Sequence, residues 1–126
     1  MARSQFENLA VYQLSERLAD LLWTIVFNWP PFERRTLGSQ VVRAADSIGA
    51  NIAEGAGRGT YADNRRFVRI ARGSLFEVKH WLRRAYRREL LEQAQVIELK
   101  SIIDELAPRL NAYLKSIGSS APNESE

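Results

Sequence analysis

Two rows of polar side chains in this sequence are spaced to meet partners. The first is Gln40, Arg43, Ser47, Asn51, Glu54 and Arg58, within QVVRAADSIGANIAEGAGR. They follow steps of three and four residues. At roughly 100° per residue they fall within about one quarter of a helix circumference. Val41, Ala45, Ile48 and Ile52 take the opposite face. Uncharged Ser and Asn lie between charges of both signs, where a solvated face is more often Lys- and Glu-rich. The chemistry expected is hydrogen bonding and ion pairing to another helix or another copy. The second row is Arg65, Arg69, Arg72, Lys79, Arg83 and Arg87, with Phe76 and His80 in the same sector. Guanidinium groups with interleaved aromatics suit phosphate and base contacts. The plain alternative is the solvated outer face of a helix. Such faces usually mix both signs, and this sector has no acid.

Catalytic chemistry finds little footing. There is one His, His80, and no Cys. A Ser nucleophile with His80 would lack a third partner. EVKH, residues 77–80, supplies one Glu-x-x-His step, whereas di-iron bundles use two such steps and further carboxylates. GAGRG, residues 55–59, follows a helix rather than a strand and lacks GK[ST], so it reads as a helix end and a tight reversal. No catalytic residue, metal, cofactor or small-molecule substrate is expected. Glu54 and Glu77 read as ion-pair partners for Arg43, Arg58 or Arg72. The polar line is expected to be substantially buried, with Arg43, Asn51 and Glu54 bonded to the third helix or to a neighbouring subunit and Ser74 and Glu77 as their expected partners.

Four helical stretches position these rows. The first covers 9–28, with Asn8 as a candidate N-cap and a stripe of Val11, Leu14, Leu18, Leu21, Leu22 and Ile25. Pro30-Pro31 ends it. The second covers 36–56. Gly38 and Gly49 inside it weaken it and imply a close neighbouring helix. The third covers 62–88, capped by Thr60, with a core face of Phe67, Ile70, Ala71, Ser74, Leu75, Val78, Leu82 and Ala85. The fourth covers 91–117, carrying Val96, Leu99, Ile103, Leu106, Leu110, Leu114 and Ile117. Pro108 inside it predicts a kink. Trp23, Trp29 and Trp81 read as core or interface residues, with Trp29 plugging a bundle end. Residues 118–126, GSSAPNESE, read as a disordered tail. The expected architecture is an antiparallel up-and-down four-helix bundle, residues 1–117.

The 126 residues suit one domain with a real core. The absence of Cys excludes disulfides and fits a reducing compartment. LLWTIVF is far too short for a membrane span. MARSQFENLA does not read as a signal peptide, so a cytoplasmic location is expected. The net charge of +3 is unevenly spread. Residues 34–88 hold 13 basic and four acidic side chains, a net +9, while residues 1–33 carry −2 and residues 89–126 carry −4. The acidic ends can neutralise the basic middle within the fold or between copies, or the basic middle can meet an external polyanion.

Three segments carry a family resemblance spanning roughly residues 6–117. They are LAVYQLSERLADLL, LGSQVVRAADSIGANIAEGAGR and FVRIARGSLFEVKHWL. The chain resembles the bacterial four-helix bundle proteins first noticed as products of intervening sequences in large-subunit ribosomal RNA genes. The family pattern Q-x-x-R-A-x-x-S-I-x-x-N-I-A-E-G is filled by Gln40, Arg43, Ala44, Ser47, Ile48, Asn51, Ile52, Ala53, Glu54 and Gly55. The downstream A-x-G-S-L-x-E is filled by Ala71, Gly73, Ser74, Leu75 and Glu77. Gly49 replaces a common Pro. The resemblance implies an all-α bundle, a ring-shaped homopentamer and no enzymatic activity. A more distant resemblance is to the accessory protein of diversity-generating retroelements, which partners a reverse transcriptase and nucleic acid.

The leading expectation is a non-enzymatic oligomeric bundle binding RNA or DNA through Arg65, Arg69, Arg72, Phe76, Lys79, Arg83 and Arg87. The alternative is a scaffold whose basic face docks an acidic protein, such as a reverse-transcriptase accessory factor. The third-helix face could lie in solvent or between subunits.

Overall fold

The computed structural model describes residues 6–119. Four long helices carry the fold among these residues: α1 (Ala10–Phe27), α2 (Ser39–Ala56), α3 (Tyr61–Arg87) and α4 (Gln93–Ser116). A 3-10 turn, Phe6–Asn8, precedes α1. The N-cap of α1 is Leu9, with no side-chain cap, so Asn8 does not take that role. Pro30 and Pro31 stop α1, but Pro31 also opens the next helical run, because its fixed φ suits a first turn. A short turn, Pro31–Glu33, passes through a wider π turn, Arg34–Gly38, into α2. Helical backbone therefore begins five residues before the expected 36. Thr60 caps α3 as its spacing predicts, its hydroxyl accepting from Asp63 N at 3.1 Å. Glu92 and Gln95 form a reciprocal capping box at the start of α4. Pro108 lies inside α4, which continues past it to Ser116.

Each helix packs on its sequence neighbours, and α4 returns to α1. Contacts between them show the directions. Gly38 meets Val26 and Gly49 meets Ser15, so α1 and α2 oppose. Gly55 meets Asn64 and Phe67, so α2 and α3 oppose. Arg65, early in α3, reaches Ile117 O just beyond α4, at 3.0 Å. The result is an all-α, four-helix bundle. The α2–α3 contact is the most extensive and the α3–α4 contact the least among these four pairs.

The core follows the expected stripes, with differences. Leu18, Leu22, Ile48, Ile52, Val68, Val78 and Leu106 are fully enclosed. On α3 Val68 is buried with Ala71, Leu75, Val78 and Ala85, whereas Ile70, expected in the core, is 44% exposed. Phe67 and Leu82 are half-buried. Val68 lies between Arg65 and Arg72, three residues after one and four before the other, and both of these reach α4, so the buried face of α3 is turned toward α4. Ser15 is 1% exposed, its hydroxyl donating to Tyr12 O at 2.7 Å and resting on Gly49. A Cβ at Gly49 would stand 2.9 Å from that hydroxyl, which is the close approach its position predicts. Trp29 is buried and donates its indole N–H to Leu90 O at 3.0 Å, closing one end of the bundle. Trp23 is instead 61% exposed.

The chain turns from α3 to α4 through Glu89, at φ 61°. Glu89 N bonds to Tyr86 O and Leu90 N bonds to Ala85 O, the paired pattern of a left-handed helix end that usually carries Gly. GAGRG does end α2, but Gly57 caps it at φ −85°, without a left-handed residue. The expected tail over 118–126 lies, beyond Ser119, outside the described residues.

Candidate functional site

The basic row of α3 divides into two parts. Arg65 and Arg72 are half-buried and turned to α4. Arg65 donates to Ile117 O, and Arg72 donates to Asn111 Oδ1 at 3.3 Å. Both tie α3 to α4. Arg69, Lys79, Arg83 and Arg87 are exposed. Arg69, Arg83 and Arg87 have no ion pair among the described residues. Lys79 sits over the Phe76 ring, its ammonium 5.3 Å from the centroid. The ion pairs among the described residues are local, three or four residues apart: Arg66–Asp63, Lys100–Asp104 and Arg109–Glu105 within single helices, and Arg58–Glu54 from the end of α2 to the turn that follows.

The polar line of α2 is only partly enclosed by its own chain. Ser47 and Asn51 are half-buried, whereas Gln40, Arg43, Glu54 and Arg58 are exposed. Ser47 Oγ donates to Ser74 Oγ, a direct link from α2 to α3 made by Ser47 and not by the expected Arg43, Asn51 or Glu54. Asn51 Nδ2 donates to Ser47 O at 2.8 Å, within its own helix. Glu54 pairs with Arg58 at 3.1 Å. Arg58 also stacks on Phe67, 4.8 Å from its centroid, with Arg66 at 4.5 Å. Glu77 does not meet the line; it accepts the Trp81 indole N–H at 3.0 Å. His80 packs its edge on Trp81, with centroids 4.7 Å apart. The Glu-x-x-His step therefore serves a tryptophan. Among the described residues no group of three or more His, Cys, Asp or Glu is placed to hold a metal ion.

Two further features escape a reading of single rows. Lys79 and Arg83 border a groove of about 470 Å³ between α3 and α4, lined by Leu82, Tyr86, Leu91, Val96, Leu99 and Ile103. Its signal was present, since Tyr86 follows Arg83 by three residues and Leu82 precedes it by one. The α1–α2 side is acidic, where Glu16, Asp20 and Asp46 border one hollow. Burial, then the charge of Asp20, pushes the Asp46 carboxyl above its ordinary value. Burial and Glu16, by charge and hydrogen bond, raise the Tyr12 hydroxyl.

The segment that builds both rows is also the one shared with known proteins. Residues 7–112 match the 23S rRNA-intervening sequence protein family. The chain belongs to that family. It is a small all-helical member. A crystal structure of a protein of unknown function from the S23 ribosomal protein family of Bacteroides thetaiotaomicron VPI-5482 has the same fold. The two agree with a TM-score of 0.74 at 23% identity, covering 85% of this chain and 100% of that one. No curated protein sequence matches the chain. In this family member no helix among the described residues is long and apolar enough to cross a membrane.

Proposed function

We propose that the protein is an oligomeric bundle that binds RNA, or another nucleic acid, through the cationic row of α3. The observation that carries this reading is four exposed cations, Arg69, Lys79, Arg83 and Arg87, along one helix edge without an acid among them. The family's association by name with 23S rRNA agrees with it. Arg65 and Arg72, assigned to the same row from sequence, act as struts to α4 that hold the row in place. Assembly into a homopentamer, the state the resemblance implies, would repeat the row around a ring and multiply modest contacts. In that ring Gln40, Arg43 and Glu54, exposed on the single chain, would find partners on a neighbouring copy. The compartment that fits is the cytoplasm.

The test uses one pair of variants. Arg83→Ala/Arg87→Ala weakens RNA binding and flattens its log-log salt slope by about 0.7 to 0.9 per lost phosphate contact. Light scattering of the same variant still gives five times the chain mass. Arg65→Ala instead lowers stability by about 1 kcal/mol, through loss of a charged hydrogen bond at a half-buried helix end. Unchanged RNA affinity in an intact oligomer of the double variant removes this face from the function. Dissociation of that variant assigns the row to a subunit interface.

A further inference from the structure

Phosphate contacts do not account for everything along the edge of α3. Tyr86 is 56% exposed at the groove between α3 and α4, and Phe76 is 62% exposed ten residues earlier. Ten helical residues rise about 15 Å. Lys79 and Arg83 stand between the two rings in sequence. The stripe therefore reads aromatic, cation, cation, aromatic. Beside it the groove offers an aliphatic wall, Leu82 from α3 and Leu91 and Leu99 from the α4 side. The facing Lys100 is already held by Asp104 at 2.6 Å.

A duplex presents phosphates, sugars and groove edges to a protein, and keeps its base faces stacked inside. It has nothing to place on an exposed ring or against an aliphatic wall. An unpaired strand has both charged phosphates and free base faces. We infer that this site selects single-stranded nucleic acid. Lys79 and Arg83 meet consecutive phosphates, Phe76 and Tyr86 stack unpaired bases, and the base beside Tyr86 enters the α3–α4 groove. This inference rests on the nucleic-acid reading above and adds strandedness to it. An acidic amphipathic helix could also fill the groove. It would leave Phe76 uncovered, because that ring does not line the groove. The aromatic outside the groove is what favours a strand running along α3.

The experiment compares a labelled, unstructured RNA of about 20 nucleotides, a length of the order these sites span, with a duplex of equal length at one salt concentration. The proteins are the parent chain, Phe76→Ala, Tyr86→Ala and Arg83→Ala. The single strand binds the parent about 10-fold tighter or more than the duplex, from stacking on two rings. Each ring variant weakens single-strand binding about 5- to 100-fold and leaves duplex binding unchanged. Arg83→Ala weakens both. Both rings are exposed, so the variants keep the parent's helicity, which circular dichroism checks. Equal affinity for strand and duplex overturns the inference. So does single-strand binding that needs Arg83 but neither ring, a result that leaves phosphate binding standing. If the parent binds neither probe, the proposed function itself falls. An acidic amphipathic peptide whose binding needs Tyr86, while RNA binding does not, assigns the groove to a protein partner and overturns strandedness.

Discussion

A single carboxyl shows how the bundle tolerates local strain. Asp46 on α2 shares a hollow with Asp20 and Glu16 of α1, with the raised Tyr12 hydroxyl nearby and no cation among the described residues that border it. Its folded-state pKa lies above the ordinary 3.8. The proton is thus bound more tightly by the folded chain. This contribution to stability is fully present below the unfolded value and is lost as pH rises through the folded one. At neutral pH the charged Asp46 opposes folding. Asp46→Asn should therefore melt higher than the parent at about pH 7, with the gap closing toward about pH 3. Thermal melts at both pH values check the sign; a variant that melts lower at neutral pH would show that the carboxylate is stabilising. Nothing in the spacing of Asp20 and Asp46 along the sequence announces this pair. It forms because Ser15 and Gly49 let α1 and α2 approach closely.

Glycine position separates two kinds of helix contact. At Gly55 an added Cβ would stand 2.6 Å from Asn64 Oδ1 and 3.1 Å from Asn64 O. The backbone oxygen cannot swing away as a side chain can. Gly55→Ala should destabilise by about 1–3 kcal/mol, as overpacked interfaces do. Gly73 sits in α3 with nothing within 4 Å of such a Cβ. Gly73→Ala should stabilise the single chain by about 0.5–1 kcal/mol, through helix propensity alone. Denaturant titrations of the two variants give opposite shifts in midpoint. A loss at Gly73 would instead reveal a neighbour absent from the single chain. The four helices were legible because Pro30-Pro31, the glycines at 55–59 and the capping Thr60 punctuate steps of three and four. The rotation of α3 was not. Phe67, Val68, Ile70 and Ala71 support two adjacent apolar faces, and the docking of α4 on the Arg65–Arg72 side favours Val68 over Ile70. The roles of Arg65 and Arg72 were equally hidden, because their partners, Ile117 and Asn111, lie 52 and 39 residues away.

The bundle is held by its apolar core and by the Arg65 and Arg72 struts, and among the described residues no ion pair joins two helices. These ion pairs sit on the exposed surface, between residues three or four apart in sequence. Such pairs contribute little to stability. Cations on α3 are thus left available, and added salt can strip a polyanion without melting the fold. The uneven packing around the ring of helices has a further consequence, in the order in which the fold opens. Since α2 and α3 share the largest contact and α3 and α4 the smallest, α4 is the segment whose detachment uncovers the least on the α3 side. Native-state opening should proceed in steps, with a partly unfolded form that keeps the α2–α3 hairpin. Amide hydrogen exchange would then replace protons between Val96 and Ile103 well before those between Ile48 and Ile52. Uniform protection across both segments would mean that the bundle opens only as a unit. Stepwise opening would make one wall of the α3–α4 groove the first part of the molecule to breathe, so an occupant of that groove would register as slowed exchange in α4.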